Sequence, residues 1–113
     1  MYNDEIKKHV DKIVEKIGQE ISIEEIILFG SYVYGTNDED SDIDLCILSK
    51  LKGKRNLDLI RKARKAIVPI TSKAVDLLVY DQIDFYNRAN NISTFEYKIK
   101  NEGVKVYGQK KYS

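Results

Sequence analysis

The chain has 113 residues, 42% of them hydrophobic and 33% charged, and a formal net charge of +1. That suffices for one soluble globular core but not for a second folding unit, so residues 1–113 are expected to form a single domain. The balanced charge argues against a broadly basic nucleic-acid binder or an acidic tail protein, and a lone cysteine, Cys46, excludes an internal disulfide framework.

Met1 to Lys8 contains no apolar leader core, and no window approaches a membrane span, so a cytoplasmic location is expected. Asn3 or Asp4 can cap a first helix whose apolar positions, Ile6, Val10, Ile13, Val14 and Ile17, share one stripe, with Gly18 as its stop. His9 on that helix reads as a solvated residue rather than a catalyst. Glu24 to Phe29 is the first predicted strand, and it runs straight into Gly30-Ser31.

Gly30 lacks a side chain, which lets the backbone turn sharply out of the strand and approach a ligand closely. Ser31 would open a short helical turn, where free backbone N–H groups favour a phosphate and the hydroxyl adds a donor; Gly35 lets that turn end. Thr36 to Ser41 is a polar loop whose acids, Asp38, Glu39 and Asp40, need only be solvated. Asp42 to Leu48 is predicted to be a second strand, buried on both faces beyond Asp44. On such a strand Asp42 and Asp44 leave the same face, and two adjacent carboxylates suit Mg²⁺, which is commonly completed by water and substrate phosphates. Cys46, between Leu45 and Ile47, reads as a buried strand residue.

A basic connection, Leu51 to Lys54, leads to a helix over Asn56 to about Val68, with Leu57, Ile60, Ala63 and Ile67 inward and Pro69 at its end. Lys50 to Lys65 holds eight basic residues against Asp58 alone. It is either a solvated helix face or a surface for phosphates, nucleic acid or an acidic partner. Lys73 to Tyr80 is a third strand, in which Asp76 stands among apolar residues and asks for a compensating cation. Asp81 and Asp84 read as the cap and first turn of a short helix, Gln82 to Arg88. Asn91 or Ser93 opens another through Lys100, with Ile92, Phe95 and Ile99 on one stripe. Gly103 ends it, Val104 to Tyr107 is a last strand, and Gln109 to Ser113 is a frayed tail. The expected fold is α/β (α+β), a mixed sheet flanked by helices, mainly on one side.

In that order, Gly30-Ser31, Asp42-x-Asp44 and a strand-borne Asp76 resemble the DNA polymerase beta nucleotidyltransferase superfamily. The short chain is most similar to its minimal nucleotidyltransferases, the group containing the MntA antitoxins of HEPN/MNT pairs. The resemblance implies the nucleotidyltransferase fold and transfer of AMP from ATP to a hydroxyl, a tyrosine of a partner HEPN toxin in the antitoxins. It further implies two Mg²⁺ ions, held by Asp42, Asp44 and Asp76 as catalytic and metal-binding residues, with Gly30 and Ser31 gripping the β and γ phosphates. One departure is Tyr34, where many minimal relatives carry a basic residue that helps neutralise phosphate. Other readings of the residues stay open: an antitoxin that neutralises its partner by contact alone, or a nucleotidyltransferase acting on RNA ends or a small molecule. A homo-oligomer also stays open. A purely structural reading has Asp42 and Asp44 forming a strand-entry turn and Asp76 in a buried ion pair, but it leaves the Gly30-Ser31 turn without a purpose.

Overall fold

The computed structural model of the protein describes residues 4–38, 40–51 and 55–108. Among the described residues nine elements follow one another: α1 (Asp4–Glu20), β1 (Glu25–Phe29), α2 (Ser31–Tyr34), β2 (Ile43–Ser49), α3 (Asn56–Ile67), β3 (Val75–Asp81), α4 (Gln82–Ala89), α5 (Phe95–Glu102) and β4 (Val104–Tyr107). The basic connection over residues 52–54 and the tail over 109–113 lie outside the described residues, as does Asn3, one of the two expected caps of α1.

The strands form one sheet in the order β3-β2-β1-β4. β2 and β3 run parallel, with Asp44 opposite Asp76, while β1 is antiparallel to both β2 and β4, with Phe29 opposite Asp44. A parallel pair needs a long crossover, and α3 provides it. Asn56 Nδ2 donates to the Val79 carbonyl at 2.8 Å and Arg64 Nη1 to that of Val75 at 3.3 Å, so the crossover is tied to both ends of β3.

Alternation along the strands sends side chains to two separate cores. Ile26, Leu28, Ile43, Leu45, Ile47, Val75, Leu77 and Val79 pack under α1 and α3. Ile27, Phe29, Cys46 and Leu48 pack with Phe85 and Ala89 of α4 and Ile99 of α5. Helices therefore cover both faces rather than mainly one. Because β2 is central and buried on both sides, its sequence reads as a nearly unbroken apolar run, as expected.

Several boundaries depart from the sequence expectation for local reasons. α1 passes through Gly18 and ends at Glu20. A Cβ at Gly18 would meet the Tyr107 ring at 2.9 Å, so this glycine makes room for β4 instead of stopping the helix. Leu57, expected inward, is exposed, and Leu59 takes the buried position on α3. α5 is capped by Thr94, whose hydroxyl accepts from Tyr97 N at 3.1 Å. Asn91 holds the preceding turn by accepting from Ser93, which leaves Ile92 outside the helix and exposed. No helix among the described residues is long and apolar enough to cross a membrane.

Candidate active site

β1 ends where the chain must leave the sheet. Gly30 sits at φ 85°, ψ −154°, a conformation that L side chains strongly disfavour, and α2 starts at the next residue. Val33 N and Tyr34 N donate back to the Gly30 carbonyl at 3.0 and 3.1 Å, and Gly35 closes the helix in the left-handed region. Ser31, half-buried, is the first residue of that turn, whose leading N–H groups have no intrahelical partner.

A Cβ built on Gly30 would overlap the carboxylate of Asp44. The bend and the acid therefore occupy the same space, which only a glycine permits. Asp44 lies opposite Asp76 across the parallel ladder. Burial, then the charge and hydrogen bond of Asp76, then the charge of Asp42, push the Asp44 carboxyl up to about 6. Three acids thus act on one another at one end of the β2–β3 pair.

Their placement differs in detail from expectation. β2 begins at Ile43, so Asp42 is an exposed residue just before the strand rather than part of it. Asp76 is exposed as well, because β3 is an edge strand whose alternate residues Val75, Leu77 and Val79 fill the core. The demand for a compensating cation falls on half-buried Asp44 instead. Among the described residues the ion pairs are Lys16–Glu20, Lys50–Glu24 and Lys105–Glu25, and none involves the three acids. Because Asp76 is exposed, the structural reading of it as one half of a buried ion pair fails.

The loop before Asp42 is held internally. Asp38 Oδ1 accepts from Asp40 N at 2.9 Å and from Ser41 Oγ at 3.3 Å, and the Tyr32 hydroxyl donates to the Ser41 carbonyl at 3.4 Å. Asp38 is thus a loop-forming residue, in line with the sequence reading, while Glu39 lies outside the described residues.

No group of three or more His, Cys, Asp and Glu side chains among the described residues is disposed to hold a metal ion by itself. The donor set nevertheless fits Mg²⁺, which is typically held by one or two carboxylates and completed by waters and substrate phosphates. A cation would also relieve the mutual repulsion registered at Asp44.

The basic residues of α3 lie away from this face of the sheet. α3 packs on the face opposite Asp44, and Lys50 pairs with Glu24 at 3.8 Å. Sequence reasoning foresaw the helix that is α5 but not that it packs beside the Gly30 turn. Phe95 meets Phe29 edge-on at 5.7 Å, the Tyr80 hydroxyl donates to Glu96 at 2.7 Å, and the Lys98 ammonium lies 5.1 Å from the centre of the Tyr34 ring. No local pattern announces that a helix starting 65 residues after Gly30, at Phe95, returns to the Gly30 turn. Cys46 is buried, as expected, and its thiol is pushed up to about 12, mainly by burial.

Acids from two paired strands beside a glycine–serine bend form an arrangement suited to cation-assisted handling of a polyphosphate. The chain belongs to the nucleotidyltransferase domain family, whose sequence profile matches residues 7–101. Over 68 residues, 60% of this chain, it is 35% identical to a Methanocaldococcus jannaschii protein named a "putative protein adenylyltransferase". The match spans 45% of that relative, so this chain corresponds to less than half of it. In fold it resembles a "putative nucleotidyltransferase" from Sulfolobus solfataricus, with TM-score 0.64, 21% identity, and 91% and 80% of the two chains covered. It also resembles a chain of the MntA–HpeT toxin–antitoxin, with TM-score 0.51, 22% identity, and 88% and 73% covered. The mixed four-stranded sheet with its flanking helices is thus the nucleotidyltransferase fold.

Proposed function

We propose that this protein transfers AMP from ATP to a hydroxyl group, with a tyrosine of a partner HEPN-domain toxin as acceptor. The observation that carries the reading is the overlap of Gly30's missing side chain with the Asp44 carboxylate, itself paired with Asp76. That closeness supports a reading in which the bend takes the phosphates and the acids take their counter-ions. Family membership and the adenylyltransferase relative support the nucleotidyl chemistry, and the fold shared with a toxin–antitoxin chain supports a protein acceptor.

In this scheme Gly30 and Ser31 hold the β and γ phosphates through backbone N–H groups and the serine hydroxyl. Asp42, Asp44 and Asp76 are the ligands for two Mg²⁺ ions, which when bound would neutralise phosphate charge and polarise the α-phosphate. The acceptor oxygen attacks the α-phosphorus, the bond from that phosphorus to the oxygen bridging the β-phosphate breaks, and pyrophosphate leaves. Asp76 would take the hydroxyl proton, a role its exposure on the edge strand supports. Half-buried Asp44 sits under the bend, and its role is to hold charge.

The test is to incubate the protein with Mg²⁺, α-labelled ATP and a HEPN-domain protein encoded beside it. Label on a partner tyrosine that disappears with Asp44→Ala or Asp76→Ala supports the reading. A partner that is inhibited yet unlabelled refutes it in favour of neutralisation by contact.

A further inference from the structure

Three acids and a polyphosphate in one place call for positive charge from the protein, and the basic helix α3 lies on the wrong face of the sheet. Lys98 is on the right one. Its helix, α5, is fixed above the Asp44 face by Phe95 against Phe29 and by Glu96 accepting from the Tyr80 hydroxyl. From there the Lys98 ammonium reaches the ring of Tyr34, 5.1 Å from its centre. Tyr34 belongs to the Gly30 turn, since its backbone N–H donates to the Gly30 carbonyl at 3.1 Å.

The contact orients Lys98 without neutralising it. Lys98 joins no ion pair among the described residues, and a ring face competes for none of its charge. An ammonium has three donors, and one over an aromatic face keeps the others available to oxygen anions. Tyr34 itself is 40% exposed, so ring and ammonium together form an open, cationic lip beside the bend.

We propose that Lys98 is a nucleotide-binding residue that meets the polyphosphate of a nucleoside triphosphate at the Gly30–Ser31 turn, and that Tyr34 is the positioning residue that steers it there. The proposal rests on the nucleotide-binding reading of the same site.

Equilibrium binding of Mg²⁺·ATP by titration calorimetry tests it with four proteins: wild type, Lys98→Met, Lys98→Arg, and Lys98→Met combined with Tyr34→Arg. Losing one charged donor to phosphate weakens binding about tenfold in Lys98→Met, and Lys98→Arg restores it to within about twofold. The double variant places a guanidinium on the turn itself and recovers most of the loss, which removal of a merely structural contact would not allow. Wild-type binding with unchanged affinity in Lys98→Met overturns the role of Lys98 and leaves the nucleotide reading standing. A loss that neither Lys98→Arg nor the double variant repairs also overturns it. Absence of ATP binding by the wild-type protein overturns both.

Discussion

Asp44→Asn should make the protein more stable at neutral pH while removing its activity. In the folded state Asp44 loses its proton near pH 6 instead of at its ordinary 3.8, because burial, Asp76 and Asp42 all disfavour the charged form. The folded chain thus holds that proton to higher pH than the unfolded one, and stability falls as pH rises from about 3.8 to about 6. At about 1.4 kcal/mol per pH unit a fully buried group would lose about 3 kcal/mol. Asp44 is half-buried, and solvent screening brings this to about 1 kcal/mol. Asparagine mimics the protonated acid and carries no charge. Thermal melts at pH 7.5 should place the variant about 4 °C above wild type, with the gap closing below pH 4. Millimolar Mg²⁺ should narrow the gap at pH 7.5 by offsetting the same repulsion. A variant less stable than wild type at pH 7.5, or a gap independent of pH, would refute the electrostatic account of the acids.

Gly30→Ala should abolish nucleotide binding and cost about 1–3 kcal/mol in urea unfolding, since the residue combines positive φ with a Cβ that overlaps Asp44. Gly18→Ala, which would normally favour a helix, should lower the melting temperature, because the Tyr107 ring must move. Glu25 is buried, and although burial raises its pKa, hydrogen bonds from Lys105, Gln82 and Tyr86 hold it below the ordinary carboxylate value. Glu25→Ala orphans those donors and should cost about 2–3 kcal/mol at neutral pH. That contribution is present above the unfolded-state pKa and is lost as pH falls through the lower folded one, so the deficit should shrink in acid, as pH-dependent urea titrations can check.

Much of this architecture is written in local patterns. The α1 stripe, the apolar run of β2, the Gly30 bend and the Asp81 cap of α4 all follow from periodicity and turn chemistry acting within a few residues. The pairing of Asp44 with Asp76 was reachable because a parallel strand pair aligns residues at equivalent positions. What the pattern does not carry is decided by distant partners. Gly18 reads as a stop until Tyr107 is laid against it, and Asp76 reads as buried until β3 proves to be an edge. The same holds for Leu57 and Leu59, where the angle at which α3 meets the sheet chooses the inward residue. Lys98 becomes part of the site only once Tyr80 and Phe29 dock α5 over the sheet.

The central claim is that the Gly30 bend and the acids of β2 and β3 jointly hold one cation–nucleotide complex. Paramagnetic broadening tests it directly: Mn²⁺ replaces Mg²⁺ in an ATP complex, and the backbone amide resonances of the labelled protein are followed by NMR. The account predicts loss of signal that is strongest at Gly30, Ser31, Asp44 and Asp76 and weakest at Asn56 and Leu57, at the far end of α3. Broadening centred on α3, or scattered evenly over the surface, would contradict it.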